Sequence, residues 1–138
     1  MILNSRERLQ IYDVISIEYA NGTKAWFKEG KLHRKNGPAI EWHNGDKEWY
    51  KEGKLHRLDG PAIEYANGNK KWYVKNKLHR EDGPAIEDIS GYKEWFKSGK
   101  IHRLDGPAIE KSNGDKEWWI EDMRYSKTKF NKINNSKL

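Results

Sequence analysis

The stretch Asn44-Gly45-Asp46-Lys47-Glu48-Trp49-Tyr50-Lys51-Glu52-Gly53-Lys54-Leu55-His56-Arg57-Leu58-Asp59-Gly60-Pro61-Ala62-Ile63-Glu64 decides the fold, because it recurs along the chain at a spacing of 23 residues. His33-Arg34, His56-Arg57, His79-Arg80 and His102-Arg103 keep that spacing, as do Ile40, Ile63, Ile86 and Ile109. Pro38, Pro61, Pro84 and Pro107 do the same, and they are all the prolines present. Trp26, Trp49, Trp72, Trp95 and Trp118 form a longer series, each followed directly by an aromatic: Phe27, Tyr50, Tyr73, Phe96 and Trp119. Self-similarity at a fixed period of this length is the signature of a repeat array.

The reading is one repeat domain over residues 1–138. It has a degenerate first unit at about 7–29, units at 30–52, 53–75, 76–98 and 99–121, and a C-terminal cap at 122–138. Gln10-Ile11 stand where His-Arg is expected at the start, and Tyr125-Ser126 stand there at the end. Atypical terminal units are what capping repeats look like.

Each unit reads as two short strands. Pro-Ala-Ile-Glu begins with a proline, whose missing N–H is harmless at the first residue of a strand. An Asn-Gly pair follows at Asn21-Gly22, Asn44-Gly45, Asn67-Gly68 and Asn113-Gly114, with Ser90-Gly91 as the variant. Asn-Gly supplies the positive φ angles of a tight hairpin turn. The second strand, Lys-x-Trp-aromatic, is rich in β-favouring side chains. Gly-Lys-Leu-His-Arg-x-Asp-Gly then reads as a longer connection with two turn signals. Strand alternation puts Lys and Trp on one face, and the second aromatic with Glu48, Glu94 and Glu117 on the other. The predicted architecture is all-β, an elongated single-layer antiparallel meander sheet. Ser126 is placed to cap a short helix over 127–134, with Phe130 and Ile133 on one face covering the last strand edge. Residues 5–10 are assigned the same task at the other edge.

Composition agrees with a thin aromatic-bound fold. The 138 residues are 35% charged and 35% apolar, yet hold seven Trp, seven Tyr and three Phe. Mean hydropathy is -1.14, a polarity that in an aromatic-poor chain would indicate disorder. The absence of cysteine removes disulfides, thiolate catalysis and thiolate metal sites from consideration. No apolar run approaches the roughly 18 residues of a membrane span. Met1-Ile2-Leu3-Asn4-Ser5-Arg6-Glu7-Arg8 places charges where a signal peptide needs an apolar stretch. The expectation is a soluble cytoplasmic protein. The net charge of +6 reads as a modest basic footprint, assigned to the His-Arg connections and to the lysine-rich tail of Lys127, Lys129, Lys132 and Lys137.

The Trp-aromatic-x-x-Gly-Lys-x-His core, the 23-residue unit and the Asn-Gly hairpin resemble MORN repeats, and more closely MORN variant repeats, over about residues 15–125. That resemblance implies β-hairpin units stacked into an elongated sheet. The usual motif has glycine after the histidine, whereas Arg34, Arg57, Arg80 and Arg103 follow it here. The His-Arg-x-Asp-Gly-Pro-Ala form resembles repeat proteins of bacteriophages and large DNA viruses. The lipid and scaffold roles known for some MORN proteins do not carry over to positions that differ.

The candidate binding residues fall in two groups. His33, Arg34, His56, Arg57, His79, Arg80, His102 and Arg103 form a column that can be read in two ways. It is either a row of guanidinium forks for phosphate groups, or a structural column. In the structural reading the histidines bond backbone and the arginines pair with Asp59, Asp82 and Asp105, with Asn36 in the first unit. The second group is sporadic: Trp42, Tyr65 and Tyr92 fall outside the repeated columns, and His43 stands beside a turn. The Trp ladder itself reads as mutual packing along the sheet.

The repeated His and Asp recur identically, whereas catalysis needs groups held in distinct environments. No catalytic or nucleotide-binding fingerprint appears. The expected function is a non-enzymatic protein-binding module without metal or cofactor. The viral resemblance implies a phage or viral protein that binds and inhibits a host protein, such as a component of a bacterial defence system. Two alternatives stand beside it: a protein that sequesters a nucleotide or cyclic-nucleotide signal, and a scaffold for RNA, DNA or anionic lipid. Membrane association is the least expected of these. A single sheet with an exposed aromatic face predicts a homodimer.

Overall fold

The structure, a computed structural model, describes residues 14–136. The segment 5–10 and the Gln10-Ile11 pair lie outside the described residues. Successive units build one meander in which every neighbouring pair is antiparallel. The sheet begins with Ile15–Glu18 and Lys24–Lys28. It continues through Ile40–Glu41, Lys47–Glu48, Ile63–Glu64 and Lys70–Lys71. It ends with Ile86–Glu87, Lys93–Glu94, Ile109–Glu110, Lys116–Ile120 and Met123–Tyr125. Together with Lys31–Leu32, paired to Lys24–Lys28, these make 12 strands.

Register is fixed by charge on one face and by isoleucine on the other. Glu18, Lys24, Glu41, Lys47, Glu64, Lys70, Glu87, Lys93, Glu110 and Lys116 are consecutive cross-strand partners. The signs alternate without a break, so a slip of one unit's pairing would set like charges opposite one another. On the opposite face Ile40, Ile63 and Ile109 are buried. The core is correspondingly thin. The described side chains covered completely are Ala39, Ala62, Ala85 and Ala108, each 0% exposed. Their backbones lie between two strands: Trp26 N donates to Ala39 O at 2.8 Å, and Ala39 N donates to Glu48 O at 2.8 Å.

The units at 30–52, 53–75 and 76–98 have four strands each rather than the two expected, and 99–121 has three because Lys116–Ile120 runs unbroken. Past the tryptophan, the chain forms a second, outer hairpin inside what reads in sequence as a connection: Tyr50–Lys51 with Lys54–Leu55, Tyr73–Val74 with Lys77–Leu78, and Phe96–Lys97 with Lys100–Ile101. The two kinds of turn also exchange roles. At the Asn-Gly turns only glycine has positive φ, as at Gly45 (97°). The asparagine side chain instead accepts a backbone bond two residues on, Asp46 N to Asn44 Oδ1 at 3.0 Å. The outer turns take the type I′ form, with positive φ at both central residues, such as Glu52 (50°) and Gly53 (80°).

Stacking of units explains how a non-glycine residue is held there. Glu52, Lys75, Ser98 and Glu121 each donate their backbone N–H to Nδ1 of the histidine that follows the preceding outer hairpin, His33, His56, His79 or His102, at 2.9–3.2 Å. The next N–H also goes back one unit, from Gly53 to Leu32 O and from Asn76 to Leu55 O.

The C-terminal helix spans Lys127–Asn135, with Ser126 as its cap accepting from Lys129 N. Phe130 is its buried residue, 3% exposed. The helix packs on Lys116–Ile120, one strand in from the edge, and Asn134 Nδ2 donates to Leu104 O at 2.6 Å. Met123 on the edge strand stays 62% exposed, so the helix caps the repeat interface rather than the strand edge. No helix among the described residues is long and apolar enough to cross a membrane.

Candidate functional site

The His-Arg column is enclosed by the fold. Arg57 lies flat on the Trp49 ring at 3.9 Å, Nε donates to Asp59 Oδ1 at 2.9 Å, and Nη1 donates to Pro61 O at 3.0 Å and Glu64 Oε1 at 3.1 Å. Arg80 repeats this on Trp72 with Asp82, Pro84 and Glu87. Arg103 repeats it on Trp95 with Asp105 and Pro107, and Glu110 lies at 3.6 Å. The glycine before each proline makes this possible. A Cβ on Gly60 would stand 2.8 Å from Arg57 Cζ, closer than side-chain atoms approach. The guanidinium is thus sandwiched between a tryptophan and bare backbone.

The first unit departs from this pattern. Arg34 stacks on Trp26 at 3.7 Å and bonds Pro38 O at 3.2 Å, but Asn36 replaces the aspartate and Glu41 lies at 3.5 Å. Its side chain is 29% exposed against 20–21% in the other three. At the far end Lys127 takes the arginine's place, its ammonium 5.8 Å from the Trp118 ring. The histidines are occupied through Nδ1 as described, and His79 Nε2 also meets Glu81 at 2.7 Å. Burial, and then the ammonium groups of Lys51 and Lys75, hold the His56 pKa below its ordinary value.

The excess positive charge therefore sits elsewhere than the sequence suggested. Three of the four arginines are paired with aspartate and the sheet lysines alternate with glutamate, leaving the outer-hairpin lysines beside the tail. Lys28 faces Lys31, Lys51 faces Lys54 and Lys97 faces Lys100 as direct cross-strand partners.

The sporadic residues are not brought together as a set. Tyr65 lies 5.7 Å from the Lys71 ammonium. The Tyr92 hydroxyl donates to Glu94 Oε2 at 2.9 Å, and burial with that bond pushes its pKa up to about 12. Trp42 is different, because it lines an apolar groove of about 320 Å³ with Tyr19, Asn21, Thr23, Ala25, Phe27, Leu32 and Ile40. His43 stands at the rim, where its backbone N–H donates to Thr23 Oγ1 at 3.1 Å.

The groove exists because the first unit is degenerate. Ala25 occupies the position of Glu48, Lys71, Glu94 and Glu117, so a short side chain leaves open what long ones cover in the other units. Tyr19, Trp42 and Tyr65 share one column that later holds Asp88 and Lys111. Ile15 (57% exposed), Ile17 (43%), Tyr19 (47%) and Trp42 (41%) present a continuous apolar surface there. Sequence reasoning found Trp42 but missed Tyr19, Ala25 and Phe27. The available signal was the break in the column at Ala25. Among the described residues no group of three or more His, Cys, Asp or Glu is placed to hold a metal ion. No family model matches the chain, and no curated protein matches it.

Proposed function

We propose that the protein is a non-enzymatic protein-binding module of the MORN variant type, and that the groove of its first unit receives an apolar side chain of a partner protein. The observation that carries this is a departure from repeat symmetry on the isoleucine face: Ala25 opens a groove ringed by exposed Tyr19 and Trp42. The Arg–Trp stack that recurs in the units serves the scaffold, whereas an apolar groove that occurs once is available for a specific partner. Exposed apolar patches of this kind mark interaction sites, and tryptophan and tyrosine dominate binding energy where they fill pockets. Rigidity of the hairpin array limits the ordering cost of binding. The phage or viral origin, and a host defence protein as the partner, rest on the resemblance of the His-Arg-x-Asp-Gly-Pro-Ala form.

The test uses Trp42→Asp, which installs the residue that its own column holds at Asp88. The parent chain and this variant are used to capture proteins from a host lysate, and the captured partner is then titrated in purified form. Loss of binding in W42D with an unchanged thermal transition supports the reading. Equal binding by the two overturns it. A light-scattering mass of two chains that falls to one in W42D would identify a second copy as the partner.

A further inference from the structure

The face opposite the groove carries an independent feature. Four of the five outer hairpins, at 27–32, 50–55, 73–78 and 96–101, hold eight lysines, namely Lys28, Lys31, Lys51, Lys54, Lys75, Lys77, Lys97 and Lys100, and two glutamates. The fifth, at 119–125, carries Glu121, Asp122 and Arg124 instead. Among the described residues none of these lysines makes an ion pair. Seven of the eight are exposed, Lys28 being half-buried. In three hairpins lysine is the direct cross-strand partner of lysine, an arrangement that costs stability. The same chain alternates Lys with Glu without error in the neighbouring sheet, so the like-charge pairs are not imposed by composition.

By strand alternation Lys51 and its partner Lys54 share the face of Trp49, on which Arg57 stacks. The stripe is strongest at its first junction, where a shallow cleft of about 740 Å³ collects Lys28, Arg34, Lys35 and Lys51 beside Trp49 and Tyr50, with Glu52 and Asp59 as its acidic residues. Arg34 lacks the aspartate of the other units, and Lys35 stands where Leu58 and Leu104 stand in two of them. Both departures add positive charge at one place.

We propose that this lysine stripe, anchored in the Arg34–Lys35 cleft, binds the sugar-phosphate backbone of a nucleic acid strand without reading its bases. Consecutive units repeat every two strands, about 9–10 Å, with two lysines in each. A periodic row of cations matches a polymer of periodic charge, whereas an acidic protein surface has irregular charge. Burial is the larger cause of the lowered His56 pKa, and Lys51 and Lys75 from adjacent units add to it.

The experiment is fluorescence anisotropy of a labelled mixed-sequence single-stranded DNA with the full chain, between about 50 and 200 mM salt. Neutralising about four phosphates gives a log–log slope near -2.8, an affinity loss of about 50-fold across that range. K51Q/K54Q removes two contacts and is expected to make the slope shallower by about 1.4, while its urea midpoint stays equal or rises as the like-charge pair is relieved. K35L/N36D, which restores residues found in the other units, is expected to weaken binding several-fold with the fold intact. Absence of binding at the lowest salt, or slopes unchanged in both variants, overturns the proposal. Polyglutamate competing as well as the DNA overturns it in favour of an acidic polypeptide. W42D lies on the other face and is expected to leave this binding unchanged, so the two readings fail separately.

Discussion

Replacing Arg80 tests whether the His-Arg column holds the fold together. Its guanidinium stacks on Trp72 at 3.9 Å, donates to Pro84 O and Glu87 Oε1 at 3.0 Å each, and pairs with Asp82 at 3.1 Å. The stack contributes about 1 kcal/mol at this partial exposure. The bond from a charged donor to a half-enclosed carbonyl contributes about 1.5–3 kcal/mol. The carboxylate pairs add little: Asp82 is 87% exposed, and exposed pairs are worth about 0–1 kcal/mol. These contacts share one side chain and do not add fully, so Arg80→Ala is expected to cost about 3 kcal/mol. That is a large part of the roughly 5–15 kcal/mol stabilising an ordinary domain. Arg80→Lys keeps the charge but loses the planar fork and the flat stack, and is expected to cost about half as much. Urea unfolding followed by tryptophan fluorescence reads both, with far-ultraviolet circular dichroism as a second probe. Because units contact only their neighbours, the alanine variant is also expected to unfold in two transitions as the array splits at the unit 76–98. If Arg80→Ala unfolds within about 0.5 kcal/mol of the parent, the size of an ordinary surface substitution, the structural account of the column is wrong.

Further outcomes follow from the same contacts. The His56 pKa is depressed in the folded state, so the unfolded chain binds the extra proton first. The stability from that group is complete above about pH 6.5 and is lost as pH falls through the folded value. The urea midpoint is expected to drop between pH 7.5 and 5.5, and His56→Asn, which keeps an acceptor without titrating, is expected to flatten that drop. Ala85 has 0% exposure, so Ala85→Leu is expected to cost about 1–3 kcal/mol by overpacking, measured as a lower Tm. Gly60→Ala is expected to lower Tm as well, since its Cβ would meet the Arg57 guanidinium at 2.8 Å. Phe130→Ala is expected to cost about 3–5 kcal/mol in helix docking, read as lost helical circular dichroism with the β signal retained.

The repeat made much of the fold legible. A period of 23 residues with proline, tryptophan and isoleucine in fixed columns specifies a hairpin array, because each column recurs in an equivalent environment. The Arg–Asp pairs were legible too, being two residues apart on one connection. The outer hairpins were not: Lys51 opposite Lys54 gives no apolar alternation, and the type I′ turn is held partly by a histidine 19 residues away. Local sequence also misassigned the turn chemistry, since Asn-Gly suits two turn types and only the bond from Asp46 N to Asn44 Oδ1 selects between them.

For the site, the sequence alone determined which residues are exceptional: Trp42 and the degenerate first unit stand out against the repeat. It also determined the net charge. Where that charge is free was decided by tertiary structure, because neutralisation depends on which residues face each other across strands. Lys47 faces Glu41 and Glu64, whereas Lys51 faces Lys54. The groove was likewise decided in three dimensions, since Tyr19, Ala25 and Trp42 meet only through the pairing of three strands. A single-layer array repeats its contacts from unit to unit, so sequence periodicity reports the scaffold. The groove arises where that periodicity breaks, and cross-strand register brings its residues together.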